Sequence, residues 1–257
     1  MGPADELEGR LRENLERVRE RIAAACQRAG RRPDEVRLVA VTKYADLDTV
    51  RALLAAGVRE LGENRVQQLA ARATALGAAD AGLWDALPAD EPRPRWHMIG
   101  HLQRNKVKLL LGYSRIVHSL DSVRLTEELE KQAARAGLGV DAFLEFNLAG
   151  EASKSGAAPV DAERLAEAVA ACPHLRLHGL MTMPPFDPDP EAARPYFVQL
   201  RELLERLRRQ GLVPQQCRHL SMGMSIDYAV AVEEGATFVR IGTALFEGLP
   251  GFSGPGG

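Results

Sequence analysis

The chain has 257 residues, 46% of them apolar and 26% charged, enough to bury a sizeable core. Lysine and arginine number 33 against 35 aspartates and glutamates, a formal charge of −2, which argues against DNA or RNA as a partner. No apolar run approaches the length of a membrane span. Only five lysines occur (Lys43, Lys106, Lys108, Lys131 and Lys154), so lysine chemistry has a short list of candidates.

Taken in chain order, Leu7, Leu11, Leu15, Val18 and Ile22 recur at helical spacing among charges. They predict one amphipathic helix over residues 1–30, ending near Gly30 and packed on the body of the protein. Short β-branched runs then alternate with longer segments of helical period. The predicted strands lie at 37–42, 59–62, 96–100, 115–118, 140–146, 175–181, 218–222 and 237–241. Predicted helices include 46–56, 122–136, 161–171, 191–210 and 226–234. Eight strands with helices between them, in a chain near the roughly 250 residues typical of the fold, predict a single α/β domain over 1–247: a closed (β/α)₈ TIM-type barrel with an extra N-terminal helix. An open doubly wound sheet would more often show a GxGxxG turn after its first strand, and none is present. Residues 77–95 are rich in Ala, Asp, Gly and Pro without periodicity and read as a mobile surface loop. Residues 248–257 read as a flexible tail. The three cysteines, Cys26, Cys172 and Cys217, are odd in number and far apart. They predict a reduced, cytoplasmic protein without a disulfide frame or a metal site.

In such a barrel the chemistry sits at the C-terminal ends of the strands. Strand 1 ends in Thr42-Lys43-Tyr44, and strand 2 runs into Gly62-Glu63-Asn64. Strand 6 gives Met181-Thr182-Met183, strand 7 gives Ser221-Met222-Gly223-Met224-Ser225, and strand 8 carries Arg240 before Gly242-Thr243. Either of the last two loops alone reads as ordinary turn and cap residues. Together, at the usual phosphate position of the fold, Ser221, Gly223, Ser225, Gly242 and Thr243 point to a phosphate site made of hydroxyls and backbone N–H groups. Lys106, Lys108 and Lys131 read as solvated helix charges, which leaves Lys43 and Lys154 on the active face. Lys43 directly follows an apolar strand and is suited to a Schiff base with an aldehyde. Its structural alternative is an ion pair at the barrel rim with Glu63 or Glu145. Arg240 interrupts an apolar strand and needs a partner, either Glu145 or an acceptor on a ligand. A phosphate site, a Schiff-base lysine and an arginine opposite a ring nitrogen together fit pyridoxal 5′-phosphate (PLP). Arginine does not readily give up its proton, so it would keep that nitrogen unprotonated.

The stretches LVAVTKYADLDTV, GENRVQQL, WHMIGHLQRNKVK, HSLDS, NLAGEASKSG, HGLMTMPP and LSMGMSIDYAVAVEEGATFVRIGTALF together resemble the pyridoxal phosphate homeostasis proteins. The resemblance runs from about the first strand to Phe246. These are barrels related to the N-terminal domain of alanine racemase, and the resemblance implies a fold type III PLP-binding barrel. It implies that Lys43 carries PLP as a Schiff base and that Asn64 lies near the ring. Ser221, Ser225, Gly242 and Thr243 match the phosphate positions, Arg240 matches the arginine at the pyridine nitrogen, and Met181 and Met224 match pocket-lining residues. Arg65 and Gln68 stand where the family pattern has a tyrosine and an acid.

The expected role is storage or delivery of PLP, with apo PLP-dependent enzymes as recipients. The resemblance suggests a monomer. The alternative is an amino-acid racemase. Racemisation over two bases needs a group on each face of the Cα carbon. In alanine racemase the second is a tyrosine from an added β-domain and a partner subunit, for which this sequence offers no counterpart. A Schiff-base aldolase on a sugar phosphate is a third reading, disfavoured by Arg240, since such a substrate has no ring nitrogen. Lys154 is a candidate second attachment point.

Overall fold

The computed structural model describes residues 3–78, 82–83, 93–151, 155–249 and 252, with the side chains of residues 3–5 left aside. The strands are β1 (Arg37–Val41), β2 (Glu60–Glu63), β3 (Arg95–Met98), β4 (Ile116–Leu120), β5 (Val140–Phe146), β6 (Leu175–Thr182), β7 (His219–Ser221) and β8 (Phe238–Ile241). The helices are α1 (Pro3–Arg28), α2 (Leu47–Ala55), α3 (Val66–Leu76), α4 (Val107–Leu110), α5 (Val123–Ala136), α6 (Ala162–Ala170), α7 (Arg194–Arg209), α8 (Tyr228–Glu233) and α9 (Thr243–Phe246). Each strand pairs in parallel with the next. β8 closes on β1 through Arg37↔Phe238, Val39↔Arg240 and Ala40↔Ile241. The expected (β/α)₈ barrel is therefore what forms, with every predicted strand in place to within about two residues.

Period-two alternation divides the core in two. Outward residues such as Val140, Ala142, Leu144 and Phe146 of β5 join the shell between strands and helices. Inward residues form a second cluster: Val39, Leu83, Ile116, Phe143, Met181 and Phe238. The lumen also takes in polar side chains, since His97, His118, Ser221 and Arg240 all lie buried on inward positions of their strands. This is why their hydrogen bonds must be made with one another.

Helix α1 packs on α8 and α9 with Leu11, Leu15, Val18 and Ile22 inside, each side chain contributing about 1.5–3 kcal/mol by burial. Buried Asn14 donates from Nδ2 to the carbonyls of Leu245 and Glu247, both at 2.9 Å, and so ties α1 to the end of α9. Asn14→Ala is expected to cost about 1–3 kcal/mol, because a buried and a partly buried carbonyl lose their donor. A shift of the urea midpoint at constant slope would show it.

Two expectations change. Leu83 falls in the stretch read as a mobile loop, yet it sits in the lumen. Its N–H donates to Asp141 Oδ2 at 2.6 Å, and its carbonyl accepts from Arg37 at 2.7 Å. A single leucine in a non-periodic run carries no local signal of this. Residues 79–81 and 84–92 of that stretch lie outside the described residues. At the start of the tail, Leu249 is buried and Phe252 rests 5.5 Å from the Phe246 ring, so this part packs back on the barrel. Residues 250–251 and 253–257 lie outside the described residues. Among the described residues no helix is long and apolar enough to cross a membrane, and no cluster of His, Cys, Asp and Glu stands ready for a metal ion.

Candidate cofactor site

A cavity of about 280 Å³ opens at the C-terminal ends of the strands. Lys43, Asn64, Met224, Ser225, Arg240, Gly242 and Thr243 all line it, brought together from β1, β2 and β8 and the loops that follow them and β7. Its apolar wall comes from residues the sequence does not single out: Val41, Ile99, Met183, Phe186, Ile226, Phe246 and Phe252. Tyr44, Phe186 and Ile226 stand exposed at its mouth.

Lys43 is half-buried, with Nζ 4.7 Å from the centroid of the Tyr44 ring. The ion pair with Glu63 or Glu145 does not form. Glu63 belongs to Arg72 instead, at 2.9 Å, and accepts from the Thr42 hydroxyl at 2.5 Å. Arg72, from α3, also donates to the carbonyls of Thr42 (2.6 Å) and Ala45 (2.5 Å). Gln68 Nε2 donates to the Lys43 carbonyl at 2.8 Å, a bond that an acid at this position could not make when ionised. The backbone on both sides of Lys43 is thus clamped from one face of α3. Burial pushes the Glu63 carboxyl up from its ordinary range, against the pull of Thr42 and Arg72.

Asn64 reaches the cavity because Gly100 lets its backbone pass. A Cβ at Gly100 would meet the Asn64 carbonyl oxygen at 2.5 Å. Gly223 turns the chain after β7 at φ +92, where a Cβ would meet Ala231 at 2.5 Å. That turn delivers Met224 and Ser225. Ser225 Oγ accepts from the N–H groups of Gly242 and Ala244, each at 3.2 Å, while the N–H of Thr243 has no partner among the described residues. The loops after β7 and β8 are therefore joined edge to edge at the cavity.

Arg240 is 3% exposed and has no ion pair among the described residues. Nη1 donates to Ser221 Oγ at 2.7 Å and Nη2 to the Thr182 carbonyl at 2.9 Å, while Nε has no partner among the described residues. Burial pulls its pKa down to about 10, which leaves it a cation at neutral pH. Glu145, the partner considered from the sequence, accepts from Ser155 at 2.8 Å, and its Oε2 has no partner among the described residues.

Two sequence candidates lie elsewhere. Met181 and Ser221 are fully buried inside the barrel, below the cavity and not on its wall. Inward positions recur every second residue, so Met183 reaches the cavity where Met181 does not. Ser221 spends its hydroxyl on Arg240 and on His118 Nδ1 at 2.8 Å. Lys154 lies outside the described residues.

A closed parallel barrel with a lysine, an arginine that makes no direct ion pair among the described residues and hydroxyl-bearing loops around one cavity defines a (β/α)₈ barrel protein with a candidate small-molecule site at the C-terminal ends of its strands. Residues 13–250 match the family of the alanine racemase N-terminal domain. The chain is 42% identical over 234 residues to the pyridoxal phosphate homeostasis protein of Aquifex aeolicus, covering 91% of this chain and 96% of that one. It is 43% identical over 236 residues to the protein of the same name from Pseudomonas aeruginosa, covering 92% and 94%. The structure of PipY from Synechococcus elongatus with PLP bound matches with a TM-score of 0.76 at 30% identity, covering 92% of this chain and 99% of that one. The chain belongs to the pyridoxal phosphate homeostasis protein family, within the alanine racemase N-terminal domain class of barrels.

Proposed function

We propose that this protein binds PLP in the barrel-mouth cavity, attached to Lys43 as a Schiff base, and stores or delivers it to apo PLP-dependent enzymes. The observation that carries the reading is Arg240: a buried cation on the cavity wall that makes no direct ion pair among the described residues, with Glu145 and Asp227 acting on it only from a distance and its Nε left for an acceptor supplied by a ligand. PLP, when bound, supplies an aldehyde, a ring nitrogen and a phosphate.

The residues fit each of these. Lys43 would hold the aldehyde carbon through its side-chain amine. Arg240 would face the ring nitrogen as a donor and so favour its unprotonated form. Ser225 and Thr243 would take the phosphate with their hydroxyls and the Thr243 N–H, beside the Gly242 turn, since among the described residues no lysine or arginine other than Lys43 and Arg240 lines the cavity. Asn64 and Met224 flank the ring. Met181 and Ser221 are not among the proposed contacts. We place the protein in the reducing cytoplasm as a monomer, a reading supported by three free thiols and by the family.

The protein mixed with PLP is expected to turn yellow. Borohydride reduction and peptide mapping should then put the adduct on Lys43, and Lys43→Ala should lose both colour and adduct. A parent protein that takes up no PLP would overturn the proposal.

A further inference from the structure

A line of hydrogen bonds runs down the barrel lumen from Arg240 to the opposite end. Arg240 Nη1 meets Ser221 Oγ at 2.7 Å, and Ser221 Oγ meets His118 Nδ1 at 2.8 Å. His118 Nε2 meets His97 Nδ1 at 2.9 Å, and His97 Nε2 meets Glu60 Oε2 at 2.8 Å. Ser221, His118 and His97 are fully buried. Glu60 is fixed in turn by Arg95, whose Nε and Nη2 reach its carboxylate at 3.0 and 2.7 Å.

The direction of every bond follows from its two ends. Arginine only donates, so Ser221 Oγ accepts from Arg240, and its one hydrogen finds an acceptor when it goes to His118 Nδ1. His118 then carries its proton on Nε2 and donates to His97 Nδ1. From the other end, a carboxylate paired with Arg95 only accepts, so His97 carries its proton on Nε2. One arrangement satisfies every group of the line at once: two neutral imidazoles, each protonated on Nε2. A second proton on His97 would reverse the middle bond and leave the Ser221 hydroxyl hydrogen without an acceptor. Burial, with the Arg240 cation nearby, holds the His118 pKa well below its ordinary value.

We infer that Ser221, His118 and His97 are positioning residues, a one-way relay anchored on Glu60 that fixes the Arg240 guanidinium at the cavity wall. The relay and the Thr182 carbonyl give Nη1 and Nη2 neutral acceptors and leave Nε open. The cation keeps its charge for the ligand, and its side chain is held in one orientation. The inference rests on the proposed PLP site for its purpose, but not for its geometry.

Long-range ¹H–¹⁵N spectra of the full chain with no ligand added test the geometry. His118 is assignable through Phe143, which stacks on it at 4.4 Å. At pH 6–8 both His97 and His118 are expected as neutral Nε2–H tautomers, and an Nδ1–H or cationic form of either would overturn the relay. Ser221→Ala should break the single tautomer of His118 and weaken PLP binding about tenfold, with the adduct still on Lys43, and Ser221→Thr should recover affinity. Unchanged affinity in Ser221→Ala would overturn the positioning role. A parent that binds no PLP would sink the proposed function instead, with the tautomers still deciding the relay.

Discussion

Arg72→Met is expected to lower stability by about 3–5 kcal/mol, the cost of stranding one partner of a buried ion pair. Glu63 is 0% exposed, and its Oε2 already lacks a hydrogen-bond partner among the described residues. Without Arg72 its remaining donor there is the Thr42 hydroxyl. The Ala45 carbonyl loses its donor and the Thr42 carbonyl keeps only the Ala45 N–H, so the loop carrying Lys43 loosens together with the core. Denaturant unfolding measures the first effect, and the rate of borohydride-trapped PLP uptake measures the second. Adding Glu63→Gln to Arg72→Met should return part of the loss, since the stranded charge is gone. A loss under about 1 kcal/mol would mean that the pair contributes no more than an exposed one.

Acidification from pH 4.5 to 2 should remove about 3 kcal/mol through Glu60 alone. Burial by itself would raise this carboxyl, but hydrogen bonds from His97 and Arg95 overcome it and hold the pKa down to about 2 from 4.5. A folded pKa below the unfolded one gives stability that is complete above the unfolded value and is lost as pH falls through the folded value. Glu63 and Glu145, raised by burial, run the other way: their contribution is complete at low pH and fades as pH rises through their folded values. The difference between parent and Glu60→Gln cancels them. The variant should be less stable at pH 7 and lose less on acidification. Parallel stability curves for the two proteins would contradict the account.

The barrel is legible in the sequence because its evidence is local. Each strand is a short β-branched run, and each helix brings its own apolar period. Lys43 and Arg240 stand out for the same reason, a charge at the end of or within an apolar strand. Arg72 does not, since nothing distinguishes it from the other arginines on helices, and the segment that carries it is not among the helices singled out. His97 and His118 are 21 residues apart, and no spacing rule joins them. The placement of Met181 and Ser221 on the cavity wall fails by one step of strand alternation, because depth within a barrel is a property of all eight strands together. Leu83 and Phe252 come from Gly- and Pro-rich stretches whose burial no local pattern announces.

The sequence by itself determined the class of fold, because local propensity and periodicity act over a few neighbours, while its resemblance to a known family supplied the family and completed the seven predicted residues that meet at the cavity. Only the tertiary structure decided which partner each buried polar group takes. Closing the barrel brings β3, β4, β7 and β8 within hydrogen-bond reach of one another across the lumen. In that dry interior an unsatisfied donor or carboxylate is costly, so Glu63 pairs with Arg72 and not Lys43, and Arg240 turns to Ser221 and not Glu145.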